Sequence, residues 1–370
     1  MADDLEFVVF DKSNVFRRQF IVDGSLDLVA RGIHTAVFVL DDDDPALSDL
    51  TEGARVAVRF RGAERTRGPV QLREGAGPDG TVTFTVEDDI RSVWLWGGWP
   101  NPGSAIGSQT SEYGRYTGPV ETVTKTMIGQ ANTRLGAGWS VASSLGRGGS
   151  CKVMTRFDPL GDKLAPLWAR DGLIPVITYT PSPRFDMRTS ELVAGALTPE
   201  SGVVGEYTFT RTAPTVTRVV IGGGGSGASR MFRVLINTAA EAEWGFVAEA
   251  FVDAGNTTDP DEMDAAGQEA LDEGAARTGL NATLIETDRF WFGESDNPDA
   301  LTYDLGDRVR LLIGDVDTTQ PVTGVSVTSS VQDGVVVEPQ IGDLDLDVES
   351  RLARQIQALA RGLREQRRRR

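Results

Sequence analysis

The stretch Thr81-Val82-Thr83-Phe84-Thr85-Val86 decides the fold class of this chain. Its large apolar side chains occur at every second position, and the threonines between them face the other way. Residues 55–60, Arg-Val-Ala-Val-Arg-Phe, alternate in the same manner. Alternation with a period of two is typical of strands with one buried face, so both segments predict half-buried β-strands.

Apolar runs of strand length continue on both sides of this stretch. In the first hundred residues they lie at 7–10, 16–22 and 35–40, and the Gly-rich segment 75–80 has the composition of a hairpin loop. Further strands are predicted at residues 207–211, 217–221, 231–237, 281–286, 307–313, 321–329 and 334–339. Short strands at close spacing predict antiparallel sandwiches or barrels.

Three segments have helical patterns instead. Pro119 suits the first position of a helix whose apolar residues follow at spacings of three and four as far as Leu135. A shorter helix is predicted after Pro159, with Pro166 inside it as a kink or a restart. Residues 260–276 are acidic and poor in large apolar residues, which predicts a helix on the surface.

The C-terminal residues 343–370 predict an amphipathic helix with a basic tail. One apolar stripe is spaced four, three and four residues apart, which is a heptad seam of about two repeats. A seam this short is not stable as an isolated coiled coil, so it needs other contacts. The seam residues, which are our candidates for an oligomer interface, are Leu352, Ile356, Leu359 and Leu363.

The patterns together predict a β-rich α+β chain of several domains. We expect a β-domain at residues 1–100 and an α+β insertion at 101–205, with a Gly-rich linker near 97–107 between them. A second β-domain is expected at 206–342 with the surface helix inserted in it, followed by the C-terminal helix and tail. No run of apolar residues is long enough to span a membrane, and the N-terminus does not resemble a signal peptide.

The charge of the chain is strongly acidic and unevenly distributed. The formal net charge is −17, but residues 351–370 hold eight arginines and one glutamate, so the preceding 350 residues carry −24. Such a balance argues against specific recognition of nucleic acid, because phosphate groups require a positive surface. The basic tail at residues 361–370 is expected to be solvated, or to contact either an acidic neighbour or the phosphate groups of DNA.

Residue types that carry chemistry are scarce. With the single cysteine Cys151 and the single histidine His34, neither a disulfide nor a zinc site with several thiolates or imidazoles can form within one chain. We interpret Cys151 as a small buried residue and His34 as a hydrogen-bonded residue at the head of a strand. We therefore assign no catalytic, cofactor-binding or metal-binding residue.

Two motifs have a structural and a functional interpretation. The run at residues 222–227, Gly-Gly-Gly-Gly-Ser-Gly, contains the spacing of a dinucleotide-binding loop, but the following residues have strand character, so a loop between two strands is favoured. Asp41 to Asp44 could offer oxygen ligands to a cation, yet they lack the spacing of a calcium-binding loop and fit a strand end followed by a capped turn.

Three tryptophans lie close together in the segment Val93-Trp94-Leu95-Trp96-Gly97-Gly98-Trp99. Exposed tryptophans stack on sugars or anchor protein interfaces. We favour Trp94, Trp96 and Trp99 as anchors at a domain boundary or an interface over a platform for a glycan.

The order of these features resembles the hub-type minor tail proteins of long-tailed phages that infect actinobacteria, which are similar to baseplate hubs and to the N-terminal hub of tail-associated lysins. The 33 arginines against four lysines agree with a G+C-rich host. The resemblance covers about residues 5–365 and contains no catalytic motif. The segments that carry it are residues 9–24, 40–45, 53–62, 68–75, 81–89, 112–119, 217–223 and 241–245.

The resemblance implies a homotrimer that closes the distal end of a tail tube in the virion. Each chain would supply two tube-like β-domains, so that three chains present six to a hexameric tube ring. The implied partners are distal tail or tail tube proteins, the tape measure protein and tip spike or fibre proteins, with DNA passing through transiently. Because the chain ends soon after the hub region, we expect no cell-wall-cleaving or receptor-binding extension.

Two alternatives stay open at the level of sequence. One is a receptor- or glycan-binding tail protein that uses the segment from Trp94 to Trp99. The other, less favoured, is a cell-wall hydrolase without a recognised motif, since 54 carboxylates give too many pairs to select an acid and a base.

Overall fold

The computed structural model of the chain describes residues 4–76, 80–179, 182–255, 257–314, 316–330 and 334–341. The chain divides into two compact units, a large one formed by Met1–Glu206 with Ala282–Arg370 and a small one formed by Tyr207–Asn281. The predicted C-terminal helix and basic tail lie outside the described residues. Within those residues, no helix has the length and apolarity needed to cross a membrane.

The large unit is dominated by strands from both ends of the chain. The first group of strands is β1 Leu5–Phe10, β2 Phe16–Ile21, β3 Gly24–Val29, β4 Thr35–Asp41, β5 Arg55–Phe60, β6 Ala63–Ala76 and β7 Thr81–Glu87. The helical region that follows contains α1 Ser92–Leu95, β8 Gly114–Pro119, α2 Val120–Leu135, β9 Ser140–Val141, β10 Ser150–Thr155, α3 Leu160–Arg170, β11 Leu173–Tyr179 and β12 Pro183–Thr189.

The remaining elements complete both units. Those that precede or lie within the small unit are β13 Leu192–Leu197, β14 Val204–Thr212, β15 Arg218–Gly222, β16 Phe232–Ile236, α4 Thr238–Trp244, β17 Glu249–Asp253 and α5 Pro260–Glu273. Those after them are β18 Arg277–Leu284, β19 Phe290–Phe292, β20 Leu301–Tyr303, β21 Arg308–Ile313, β22 Val316–Ser330 and β23 Gly334–Ile341.

A 13-stranded sheet joins the two ends of the chain. Its strand order is β14-β18-β23-β22-β3-β4-β7-β6-β5-β1-β2, with β21 also paired to β22 and β13 paired to β21. Strand β3 pairs antiparallel with β22, from Gly24 opposite Ser329 to Val29 opposite Gly324. The first and last β-regions are therefore hydrogen-bonded neighbours, although nearly 300 residues separate Asp27 from Ser326, whose hydroxyl donates to the Asp27 carboxylate.

Side chains of the first seven strands form an aromatic core. Phe7 in β1 and Phe38 in β4 belong to strands that are not adjacent in the sheet, yet their ring centroids lie 4.7 Å apart. Phe84, in the neighbouring strand β7, stacks on Phe38 with the two ring centroids 5.1 Å apart. Because Val82 and Val86 are buried with Phe84, the alternation in the opening stretch is confirmed. The division of the β-rich regions into two tube-like domains stays a prediction.

The helical region has its own core around Trp168. The indole ring is fully buried, and its Nε1 donates to Oγ1 of Thr124 at 2.9 Å. Helix α2 has the predicted position, and α3 runs through Pro166 as one helix because Leu160, Leu164 and Trp168 are buried along its length.

The start of the predicted linker is built into this region. The amide of Gly98 donates to the carbonyl of Asp158, and its own carbonyl accepts from the Thr155 hydroxyl. Any side chain at position 98 would collide with Thr155, since an added Cβ would lie 2.2 Å from its Oγ1. This part of the Gly-rich stretch therefore packs against the helical region.

The small unit is a three-stranded sheet covered on one face by a helix. Strand β15 lies in the centre, antiparallel to β16 and parallel to β17. The surface helix predicted from the acidic sequence is α5, and it buries Met263 and Leu271 against Val219 and Ile221. Gly267 permits this close approach, because a Cβ there would lie 2.7 Å from the Ile221 side chain.

Candidate functional site

One face of the sheet in the small unit is apolar and exposed to solvent. The register places Val220 of β15 opposite Val234 of β16 and Phe251 of β17, so these three side chains lie in one row. Phe232, Val234 and Phe251 are 57%, 52% and 56% exposed. We call this surface the open face, formed by Val220, Phe232, Val234, Ile236 and Phe251.

The central strand of this sheet is apolar on both sides. Val219 and Ile221 point towards α5 and are fully buried, whereas Val220 between them points to the open face. Consecutive apolar residues of this kind are typical of strands that are covered on both faces. Contiguous apolar surface on a soluble protein commonly marks a contact site, so the open face is our first candidate for assembly.

Charged side chains border the open face. Arg218 makes two contacts with Glu241, with Nε and Nη2 lying 3.2 and 3.1 Å from its oxygens. Arg230 forms an ion pair with Asp253, and its guanidinium lies 5.7 Å from the rings of both Phe232 and Phe251. An apolar centre with a polar border is the usual anatomy of a protein interface.

Strand β2 provides a second candidate surface. It ends the strand order of the large sheet and, within the described residues, is paired with β1 alone. Val15, Phe16 and Ile21 are each more than half exposed. An edge strand presents unpaired backbone groups that can pair with another chain, and exposed apolar side chains favour such pairing. Arg17 and Arg18 are partly neutralised by ion pairs with neighbouring carboxylates at 2.7 Å.

The three predicted tryptophans contribute packing to the helical region. Trp96 is 8% exposed, with its ring 4.7 Å from that of Trp139. Trp94 meets the Trp168 ring edge-on at 6.1 Å. Helix α1 begins at Ser92, so the segment is not extended through Trp94.

Trp99 lies between an aromatic ring and a cation. Its ring is 5.8 Å from Phe157, and the Arg134 guanidinium lies over it at 4.4 Å. A platform for a glycan needs exposed ring faces, and the rings of Trp96 and Trp99 face protein groups instead. The role of the tryptophans as boundary or interface anchors stays a prediction. The seam residues Leu352, Ile356, Leu359 and Leu363 lie outside the described residues.

A buried charge cluster stabilises the start of α2. The carboxylate of Glu121 is fully buried and accepts hydrogen bonds from Nζ of Lys125 at 2.7 Å and Nη2 of Arg147 at 2.8 Å. It also accepts from the backbone amides of Leu145 and Arg147. Lys125 donates in addition to Asp186 at 2.6 Å. The cluster thereby attaches the loop before β10 to the helix.

The environment of Glu121 keeps it ionised. Burial alone would raise the pKa of Glu121, but hydrogen bonds from Arg147 and Lys125 outweigh burial and hold that pKa well below its usual range. Sequence analysis missed this cluster. The available signal was Glu121 and Lys125, four residues apart on a helix whose neighbouring positions are apolar.

His34 is a partly buried structural residue. Its Nδ1 accepts from the Val29 amide at 3.0 Å, and Nε2 lies 3.8 Å from the Asp88 carboxylate. Burial lowers the pKa of His34 to about 4 and raises the pKa of Asp88 well above its usual value. Cys151 is buried, which raises the pKa of its thiol. The interpretation of His34 as a hydrogen-bonded residue is confirmed.

The Gly-rich loop is closed by its own backbone. It joins the antiparallel strands β15 and β16, as predicted. The amides of Gly223 and Gly224 donate to the carbonyls of Met231 and Thr257 at 2.8 and 2.6 Å. A phosphate-binding loop needs amides that point at the ligand, and these two amides are already used.

The acidic run at the end of β4 forms a capped turn. Oδ1 of Asp44 accepts from the Ala46 amide at 2.7 Å at the start of a short 3₁₀-helix, as the sequence indicated. Across the described ranges, no group of three or more His, Cys, Asp or Glu side chains is arranged to hold a metal ion.

A cleft of about 590 Å³ lies beside the turn between β5 and β6. Arg61 closes one side, with two 2.7 Å hydrogen bonds to Glu286 and its guanidinium 3.4 Å from the centre of the Trp291 ring. The rest of the lining combines Arg65 with several carboxylates. Because the lining carries both positive and negative charges, its charge alone does not favour one class of ligand, and on that basis we assign no function to the cleft.

A family model described as Siphovirus ReqiPepy6 Gp37-like protein matches residues 7–343. No sequence among the curated proteins matches this chain.

Three solved structures have a similar fold. The prophage MuSo2 43 kDa tail protein from Shewanella oneidensis is 12% identical with a TM-score of 0.57, covering 91% of this chain and 98% of that chain. The prophage tail protein gp18 from Listeria monocytogenes EGD-e is 10% identical with a TM-score of 0.56, covering 96% and 99%. The tail protein from Neisseria meningitidis MC58 is 12% identical with a TM-score of 0.54, covering 92% and 97%. At these identities the likeness shows the fold alone.

Proposed function

This chain belongs to the siphophage tail protein family described as Siphovirus ReqiPepy6 Gp37-like, and from that premise we propose that it is a homotrimeric structural hub of the virion. The hub lies at the distal end of a long, non-contractile tail, joins the tail tube to the tip and lines the channel through which DNA leaves. The protein acts by shape and assembly and catalyses no reaction. It is made in the host cytoplasm and works in the virion.

The arrangement of strands supports this proposal. Strands from the beginning and the end of the chain form one sheet through the β3–β22 pairing. In this proposal each chain supplies two tube-like β-domains. Three chains then present six such domains to a hexameric ring. The composition, with 33 arginines and four lysines, supports a phage of actinobacteria as the source.

The observation that carries the assembly proposal is the free edge of the large sheet. Within the described part of the chain, strand β2 has one unpaired backbone edge, and it carries the exposed side chains Phe16 and Ile21, with exposed Val15 directly before it. A closed ring removes such edges because each copy covers the edge of the next. Tail tube or distal tail proteins, the tape measure protein and tip spike or fibre proteins are the proposed neighbours of the ring.

The acidity of the chain fits a channel for DNA. The first 350 residues carry a net charge of −24, so an inner wall built from them repels phosphate groups and lets DNA pass without binding. Replacing acids on that wall by neutral residues is expected to slow DNA ejection, and unchanged ejection kinetics would contradict this role of the charge.

The test of the proposal is the effect of the β2 edge on assembly. Replacing Phe16 and Ile21 by lysine is expected to shift the sedimentation profile from trimer to monomer, since two charges would then be buried at each contact. The matched control is Leu72→Lys, which places a lysine at another exposed apolar position of the same sheet. Equal profiles for the double variant and the parent chain would exclude β2 from the interface.

A further inference from the structure

Two buried donor groups line the cleft beside the turn between β5 and β6. Arg65 belongs to β6 and Tyr303 to β20, and both side chains form part of the cleft wall. Among the residues that the structure describes, neither Nε of Arg65 nor the hydroxyl of Tyr303 has a hydrogen-bond partner, although both atoms are buried. A buried donor without an acceptor is costly in free energy, so such groups at the wall of a cleft point to a bound ligand.

The charge of Arg65 is only partly compensated by the chain. Its side chain is 12% exposed, and Nη1 lies 3.8 Å from Oδ1 of Asp304, which is too far for a hydrogen bond. Arg61, on the same wall, instead makes two hydrogen bonds of 2.7 Å to Glu286. Burial lowers the pKa of Arg65 in spite of the nearby Asp304 carboxylate, but the guanidinium stays charged near neutral pH. A largely buried charge of this kind is stabilised by a hydrogen-bonded counter-charge.

Neighbouring groups hold both donors in place. The Arg65 guanidinium lies over the ring of Phe292, 4.4 Å from its centroid. Gly293, with φ of +82°, leaves room for Arg65, because an added Cβ would lie 2.2 Å from Nη2. Tyr303 stacks on Phe290 with the two ring centroids 4.3 Å apart. The donors are therefore positioned before a ligand arrives, which lowers the entropic cost of binding.

The charges of the lining favour a ligand with one negative charge. Asp307 is paired with Arg188 at 2.8 Å and accepts from the amide of Asp304, also at 2.8 Å. The carboxylates of the lining repel a doubly charged phosphate more strongly than a singly charged group, and they are Glu191, Glu294, Asp304 and Asp307. A cation would face the charge of Arg65 and leave both donors without an acceptor. A single carboxylate supplies two acceptor oxygens in the geometry that a guanidinium prefers.

We propose that the cleft binds a single carboxylate group, with Arg65 and Tyr303 as its hydrogen-bond donors. The cleft volume of about 590 Å³ lies in the range of small-ligand sites. The carboxylate belongs either to an acidic side chain of a neighbouring protein or to a free small acid. The site is formed within one chain, so it does not depend on the proposed ring.

The test is a titration of the full chain followed by saturation-transfer NMR of the ligand signals. The probe is N-acetylglutamate α-amide, which carries one side-chain carboxylate, and its neutral control is N-acetylglutamine α-amide. We expect the probe to bind at least about tenfold more tightly than the control, because only the probe offers Arg65 a charged acceptor. No binding of the probe, equal binding of the two compounds, or tighter binding of inorganic phosphate would overturn the proposal.

Acetate distinguishes the two sources of the carboxylate. Acetate that competes with the probe at equal concentration indicates a free small acid as the ligand. Acetate that competes only at much higher concentration indicates an acidic residue of a protein chain, whose backbone adds contacts. Both results support the carboxylate site.

Three variants test the donors. Arg65→Gln is expected to weaken probe binding at least about tenfold, and Tyr303→Phe about fivefold, since each loses one donor to the carboxylate. Arg59→Gln is the control, because it removes the same charge from β5 at a side chain that is 39% exposed and paired with Glu6. Its affinity for the probe should equal that of the parent chain.

Tyr303→Phe decides the matter even when Arg65→Gln fails to fold. It removes only a hydroxyl without a partner in the described part of the chain, so Tm is expected to stay at the parent value or rise. Weaker probe binding at unchanged Tm supports the site, whereas unchanged binding would contradict it. The native mass of each variant is measured separately, so loss of the trimer is not confused with loss of the site.

Discussion

Replacing Glu121 by glutamine tests how the buried charge cluster holds the helical region together. Glu121 is the fully buried acceptor for Lys125 and Arg147, and Lys125 is itself only 5% exposed. Removing the negative charge leaves two cations whose remaining carboxylate is Asp186. Breaking a buried pair in this way costs about 3–5 kcal/mol of unfolding free energy.

The expected loss of unfolding free energy is large enough to be measured by calorimetry. For a unit of this size, each kcal/mol lowers Tm by about 2–4 °C, so Glu121→Gln should lower Tm by about 10 °C. The control is Glu112→Gln. Glu112 forms an ion pair with Arg156 at 3.1 Å, and its side chain is 63% exposed. Such a surface pair contributes less than about 1 kcal/mol. Equal Tm values for the two variants would refute the assigned role of the cluster.

Two further predictions concern the core and the response to pH. Gly161→Ala places a Cβ 2.4 Å from the Trp94 ring and should cost about 1–3 kcal/mol in denaturant unfolding, whereas Gly103→Ala meets no atom within 4 Å and should be neutral. Burial lowers the pKa of His34 to about 4. As pH falls, the unfolded chain therefore takes up the proton at a higher pH than the folded chain does. Folding stability is lost as pH falls from about 6.5 to 4. His34→Asn should remove up to about 3 kcal/mol of that loss, measured by denaturant unfolding at pH 7 and pH 4.5. Asp88 has a raised pKa and contributes with the opposite sign, so an unchanged pH dependence in His34→Asn would show that Asp88 or other groups control it.

The strands and helices were predictable where a single period dominates. The alternation at residues 81–86 and 55–60 and the helical spacing after Pro119 each correspond to an element with nearly the predicted bounds. These patterns arise because one face of each element is buried in the core. The apolar residues of that face recur at short, regular spacings, so a short window of sequence is enough to detect them. Strand β3 was missed, since Gly24-Ser25-Leu26-Asp27-Leu28-Val29 has only a short alternation beside a turn.

The open face and the exposed edge at β2 could not be predicted from the sequence. Phe232, Val234 and Ile236 alternate just as residues of a buried strand face do, and only the position of α5 shows which side of the sheet is covered. The exposure of β2 likewise depends on its place at the end of the strand order. Lys125 lies only four positions from Glu121, but the other partners of Glu121, Leu145 and Arg147, lie 24 and 26 positions away, beyond the range of any local pattern.

Native mass spectrometry of the purified chain tests the central claim most directly. The account predicts a closed assembly of three times the 39.8 kDa of one chain, stable on dilution. A monomer at every concentration, in particular one that converts a small compound, would contradict the proposal that this protein works by forming a ring.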